Sequence, residues 1–249
     1  MGPRQIPCVE REILCVKEVG IVTAMRMEAR CITRQRLPFN QRISVGQSAS
    51  IWLCGMGEEA ARQAAAGLKA GGAAALMSFG FAGALDSSLR PGDLVLPETV
   101  HAGHSMPVDL SWRSRLRKML PASLNVSGGM LTTSRQMLSS ASAKLELGRI
   151  TGACAVDMES GAVAEAAAHA GLPFLAVRVI SDAVEFSPPP ILLEAVRPDG
   201  SADLARLLPL LLRGSVTLPV LLRLAVESRA ACSTLSAVAR YANTELGIA

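Results

Sequence analysis

Residues 155–182 read AVDMESGAVAEAAAHAGLPFLAVRVISD, and their hydrophobic period changes halfway through. DMESGAVAEAAAHAG predicts an alanine-rich helix, with Asp157 and Glu159 in its first turn, Gly171 at its end and Pro173 just beyond. FLAVRVIS (174–181) is a nearly unbroken apolar run of strand length that stops on Asp182. A helix delivering the chain into a buried strand is the repeating unit of a parallel sheet covered on both faces. The helix dipole favours acids in a first turn, which accounts for Asp157 taken alone.

The same alternation extends outward. EVGIVTAM (18–25) and SIWLC (50–54) read as buried strands, the second running into Gly55-Met56-Gly57. EEAARQAAAGLKAGG follows as a helix closed by glycines, then AALMSF as a strand and GFAGAL as a glycine-bearing turn. RPGD (90–93) is a turn, and LVLPETV resumes strand character. The polar stretch 101–127 has no clear period. Beyond Asp182 come a rigid SPPP loop (187–190), a turn at RPDGS (197–201) and a leucine-rich helical region that Pro209, Gly214 and Pro219 cut into pieces. The expected fold is α/β: three layers, α/β/α, around a mixed, mostly parallel sheet.

The 249 residues suffice for one large domain of this kind, and half of them are hydrophobic. Aromatics are only 3%, so Ala, Leu and Val must build the core. A net charge of +4, with no basic block interleaved with aromatics, argues against a nucleic-acid partner. Cys8, Cys15, Cys31, Cys54, Cys154 and Cys232 form no C-x-x-C pair, as expected of small thiols in a reducing cytosol. The charged first twenty residues lack a signal-peptide core, and no stretch of about 18 apolar residues spans a bilayer. The expected location is the cytoplasm.

GMGEEA (55–60) matches the dinucleotide fingerprint in letters, but Glu58 and Glu59 would repel phosphate at that helix start. The ribose acid that should follow is missing from ALMSFGF. His101 and His104 have no third ligand beside them, and no G-x-S-x-G elbow occurs. Three carboxylates remain. Asp182 ends a strand, Glu28 lies just past the first strand, and Glu159 opens the helix before the Asp182 strand. Ligands collect at the carboxyl ends of strands in open α/β sheets. If these strands are neighbours, the acids face one crevice suited to breaking a bond to a sugar.

VGIVTAMRMEA, SFGFAGAL, RPGDLVL, AVDMESGAVA and VRVISD occur in this order between about residues 18 and 185. Together they resemble the purine nucleoside phosphorylase and nucleosidase superfamily, in the branch of methylthioadenosine/S-adenosylhomocysteine nucleosidases. The VDMES spelling and the Leu/Arg-rich C-terminus are most similar to hopanoid-associated phosphorylases. The resemblance implies cleavage of the N-glycosidic bond of a 5′-substituted adenosine, with adenosylhopane as substrate and adenine as product. Glu28 would position and deprotonate the attacking water, and Asp182 would bind the purine and protonate it as it leaves. Glu159 would hold the ribose hydroxyls, Met158 would pack on the sugar, and Ala82, Gly83 and Ser181 would complete the substrate-binding site. Met137 takes the place of the aromatic that stacks on adenine in the nucleosidases. The resemblance implies no cofactor, no metal and a homodimer. Phe81 stands where family members often carry a phosphate-contacting serine, and the G-D-P-x-R loop of phosphorylases is absent, so hydrolysis is favoured. Arg26 and Arg178 are the nearest cationic groups, Arg178 matching an arginine that is mostly structural in the family. Alternatives are a housekeeping nucleosidase, a phosphate-dependent phosphorylase, and a non-catalytic nucleoside-binding module, for which Glu28 would be superfluous.

The catalytic domain is expected over 18–200, with 201–249 as a helical extension packed on it, whose removal from about Val216 is expected to spare activity on soluble methylthioadenosine and impair it on a membrane-held substrate. Apolar residues at helical spacing, with Arg206, Arg213, Arg223, Arg229 and Arg240, make it a basic amphipathic segment able to rest against an anionic membrane face.

Overall fold

In the computed structural model, which describes residues 18–247, β1 (Val19–Thr23) lies between two parallel neighbours. Its five residues are all buried, as an unbroken apolar strand requires. Cys8, Cys15 and the charged N-terminal stretch lie outside the described residues.

The elements run in chain order. After β1 come α1 (Arg26–Ile32), β2 (Arg42–Val45), β3 (Ala49–Leu53), α2 (Glu58–Ala70), β4 (Ala75–Ala84), β5 (Leu94–Val95), β6 (Thr99–His101) and β7 (Ser105–Pro107). Next are α3 (Leu110–Met119), β8 (Val126–Ser127), β9 (Met130–Thr133), α4 (Ala141–Thr151), β10 (Ala155–Asp157), α5 (Ser160–Ala170) and β11 (Phe174–Asp182). A 3-10 turn at Pro190–Ala195, α6 (Leu204–Leu212) and α7 (Leu218–Tyr241) close the chain.

The strands form one mixed sheet in the order β2-β3-β1-β4-β10-β9-β6-β7, with β11, β5 and β8 branching from β4. β4 is its hub. The first half of β4 pairs in parallel with β1, its last residues pair antiparallel with β10, and β11 runs parallel along its other side. Helices flank the sheet, so the expected α/β architecture with a mixed central sheet holds. One continuous core of Ala, Leu, Val, Ile and Met joins sheet to helices.

Local expectations needed correction in four places. GFAGAL is no turn, because β4 continues through it to Ala84 and its glycines let the strand pass close to charged side chains. LVLPETV splits into β5 and β6, since Pro97 cannot donate to a ladder. Asp157 belongs to β10 rather than to a helix, and Glu159 is the cap residue before α5. Pro219 opens α7, where a missing N–H costs nothing, and Pro209 sits within α6.

The C-terminus is also more integrated than expected. Ala231, Leu235, Val238 and Ala239 of α7 belong to the main core, packed on α1 and β11. Truncation at Val216 would therefore remove core, and the segment is not dispensable. The start of α7 instead joins α6 and the 3-10 turn in a small separate cluster around Ala195, Leu210 and Val216.

Candidate active site

Four charged side chains meet at the carboxyl end of the central strands, all buried: Glu28, Asp157, Glu159 and Arg178. Arg178 projects from β11 at the centre. Its Nε lies 2.8 Å from Asp157 Oδ2, and its guanidinium reaches Glu159 Oε2 at 3.6 Å. It also donates to Ser78 Oγ, Ser160 Oγ and the Phe81 carbonyl. Burial alone would lower the Arg178 pKa, but the three surrounding carboxylates outweigh it and keep the guanidinium charged.

Glu28 sits in the first turn of α1. Its Oε2 accepts the N–H groups of Ala24 and Met25, and its Oε1 accepts that of Phe81 at 2.8 Å. Reaching back to the Met25 N–H makes it half of a capping box, while the Phe81 bond ties it to β4. Burial raises its pKa above the usual carboxylate range, against Arg178 and the three N–H donors. Gly80 makes room for this: a Cβ there would stand 2.3 Å from Glu28 Oε1 and 2.5 Å from an Arg178 nitrogen.

Glu159 accepts from the Gly57 N–H at 2.9 Å. Gly57 caps α2 with φ +103°, a conformation that suits glycine. The G-x-G turn thus points its helix start at a carboxylate of the protein itself. Burial pushes the Glu159 carboxyl up to about 7, with Asp157 and Glu28 adding to the rise and Arg178 opposing it. Asp157 also accepts from Thr133 Oγ1 and from the Ser160 N–H at the head of α5. It fixes the arginine and caps the helix, a role that first-turn decoration does not describe.

Asp182 ends β11, just past an irregularity in its pairing with β4. Its Oδ1 accepts from Ser181 Oγ at 2.7 Å, and its Oδ2 from the ammonium of Lys144 on α4. Lys144 is almost completely buried and also donates to the carbonyls of Ala183 (2.8 Å) and Phe186 (2.7 Å). Nothing in SAKLEL marks this lysine, since α4 exposes Leu145 and Ile150 while burying the charge.

A cavity of about 430 Å³ opens onto these groups. Glu28, Ala82, Gly83, Met137, Met158, Glu159, Ser181 and Asp182, all the residues expected at the site, line it together with Phe81, Asp157 and Lys144. Met25, Met27 and Met56 join Met137 and Met158, giving soft, adaptable walls in a chain poor in rings. The segment beyond β11 adds an apolar share of the lining: Pro188, Pro189, Leu192, Leu207, Leu221 and Leu224. Arg26 is not part of this cavity; it pairs with Asp199 at 2.8 Å and bonds the Leu37 carbonyl. Among the described residues no three His, Cys, Asp or Glu side chains are grouped to hold a metal.

A mixed-sheet α/β domain with a buried acid cluster at the strand ends is the class that fold and site define. Residues 18–213 match the family model described as the phosphorylase superfamily, and the chain belongs to that family. The match extends past the expected limit near 185, taking in α6. No curated protein matches the sequence. Among solved structures, the 5′-methylthioadenosine/S-adenosylhomocysteine nucleosidase of Helicobacter pylori, bound to butyl-thio-DADMe-Immucillin-A, superposes with a TM-score of 0.68 at 15% identity, over 93% of this chain and 98% of that one. The Neisseria meningitidis nucleosidase with methylthio-immucillin-A gives 0.68 at 16% identity, covering 92% and 99%. The futalosine hydrolase of Helicobacter pylori gives 0.64 at 17%, covering 90% and 97%. At such identities the likeness is one of fold.

Proposed function

We propose that this protein hydrolyses the N-glycosidic bond of a 5′-substituted adenosine, releasing adenine, and that its 5′ substituent is large and apolar, as in adenosylhopane. The observation that carries this is the division of the cavity. Its acids come from α1, the β10–α5 junction and the end of β11, whereas the lining contributed by residues beyond 187 is apolar but for Ser228. An oxocarbenium-like sugar is stabilised by carboxylates around it. Glu159 and Met158 receive the ribose, Glu28 takes the proton of the attacking water, and Asp182 faces the leaving base beside Ala82 and Gly83. That solved structures of the same fold include 5′-methylthioadenosine/S-adenosylhomocysteine nucleosidases favours the same chemistry. Phe81 lies beside Glu28, and both buried cations are already committed, Arg178 to Asp157 and Glu159 and Lys144 to Asp182, so water suits the site better than phosphate.

In this reading residues 18–200 carry the chemistry, and α6 with the start of α7 forms an apolar lip over the entrance. Leu204, Leu208 and Leu212 make an exposed stripe on α6, and Leu218, Leu222 and Val226 continue it on α7. The only acid between Leu204 and Tyr241 is Glu227, which is buried against Arg223, whereas five arginines occur there. Such a surface fits the anionic face of a membrane that holds an apolar-tailed substrate. No helix of the described residues is long and apolar enough to cross a membrane. The active unit is read as a homodimer, testable by mass in solution.

The test measures adenine release from 5′-methylthioadenosine and from a 5′-deoxyadenosine bearing a long 5′-alkyl chain, each in phosphate-free buffer and with phosphate added. Release without phosphate and a lower KM for the alkyl substrate are expected. Strict dependence on phosphate would make the protein a phosphorylase, and preference for the small substrate would remove the apolar 5′ group.

A further inference from the structure

Lys144 is a buried ammonium that the proposed chemistry does not yet use. All three of its N–H groups are taken, one by Asp182 Oδ2 and two by the carbonyls of Ala183 and Phe186. Its side chain is 2% exposed and that of Asp182 14%, so the pair sits at the cavity wall with the acid on the ligand side. Ser181 Oγ occupies the other oxygen, so Asp182 is held from both ends. A lysine buried only to fasten a loop would serve as well on carbonyls alone. Here it ends instead on the carboxyl that faces the leaving group.

We propose that Lys144 is a positioning residue for base departure: it aims Asp182 at the purine and supplies the proton that Asp182 passes on. This rests on the adenine-releasing reading above. As the C–N bond breaks, its electron pair stays with the base. Asp182, a carboxylate held by the Lys144 ammonium and by Ser181, takes a proton from Nζ and hands one on to a ring nitrogen, so it ends as the carboxylate it began. Lys144 finishes as an amine, keeping its two N–H bonds to Ala183 and Phe186. The proton shed by the attacking water restores it through solvent.

The experiment compares the unsubstituted protein with Lys144→Met and with Lys144→Gln, which keeps donors for the two carbonyls but has no proton to give. Each is assayed on 5′-methylthioadenosine and on 4-nitrophenyl 5-methylthioriboside, whose leaving group needs no proton. Loss of proton supply should lower kcat for adenine release about 10²–10³-fold, with KM changed less than about threefold, the usual scale for acid–base assistance. Release of 4-nitrophenolate should stay within a few fold of normal. Equal loss on both substrates, no loss on either, or failure of both variants to fold would assign Lys144 to structure and overturn the proposal. An unsubstituted protein that releases no adenine would sink the functional reading itself, a result distinct from any of these.

Discussion

Asp157 and Arg178 face each other at 2.8 Å from adjacent parts of the sheet, both side chains essentially removed from solvent. Removing one partner of such a pair strands the other charge, which costs about 3–5 kcal/mol where no other group compensates. Arg178→Met should be destabilising on that scale by urea denaturation, because three buried acids lose their common cation. Asp157→Asn should cost roughly 1–3 kcal/mol, since Asn can still cap α5 but offers no charge to Arg178. Its turnover per folded molecule should remain near normal. A fully stable Asp157→Asn protein would mean that Glu159 and Glu28 balance the arginine unaided.

Glu28→Gln should leave ligand binding intact and slow adenine release by about 10²–10⁴-fold. The amide oxygen can keep the Ala24 and Met25 N–H groups, while the amide NH2 would face the Phe81 N–H, so a urea melt of the variant accompanies the assay. Binding is read by calorimetry with an uncleavable adenosine analogue and turnover by adenine release. Near-normal turnover would remove Glu28 from the mechanism.

Glu159 gives the protein a pH signature. Its carboxyl is raised from 4.5 to about 7 in the folded state. Between these values the native state binds more protons than the unfolded one, so stability is fully present below pH 4.5 and falls as pH rises toward 7. Glu28 is raised too and acts in the same sense. Glu159→Gln should flatten the decline in Tm between pH 5 and 7.5 relative to the unsubstituted protein. An unchanged slope would assign the titration to another group.

The exposed stripe on α6 and α7 should bind liposomes containing anionic lipid at low salt and release them as salt rises, because screening weakens attraction between charged surfaces. Leu208→Ser with Leu222→Ser should abolish binding while sparing activity on soluble 5′-methylthioadenosine. A stable dimer that the same pair of changes converts to monomer would identify the stripe as a subunit interface.

Much of this was legible because period and end signals agreed. The apolar run at 174–182 could only be a buried strand, and its terminal acid therefore had to stand at the sheet edge. Glu28 and Glu159 followed by the same logic, and all three line one cavity. Asp157 was misread because two acids before an alanine-rich helix look like dipole partners, and nothing local reveals an arginine 21 positions later. Lys144 was invisible for a related reason: its three acceptors lie at the end of β11 and just past it, and only tertiary structure makes a charged residue the buried face of α4. GFAGAL misled through its glycines, which serve close approach, Gly80 by Glu28 and Arg178 and Gly83 by Asp182, rather than chain reversal.

α7 is a single unbroken helix of 24 residues, about 36 Å long at 1.5 Å per residue. One end borders the cavity mouth, and the other is wedged against α1 and β11, the elements that carry Glu28 and Asp182. A detachable entrance could be exchanged between relatives like a fitting, leaving the reactive centre untouched. This one cannot. Any lineage or engineer that reshapes the doorway by shifting α7 also moves the buttress behind both acids, so the range of admitted ligands and the speed of their conversion must change together.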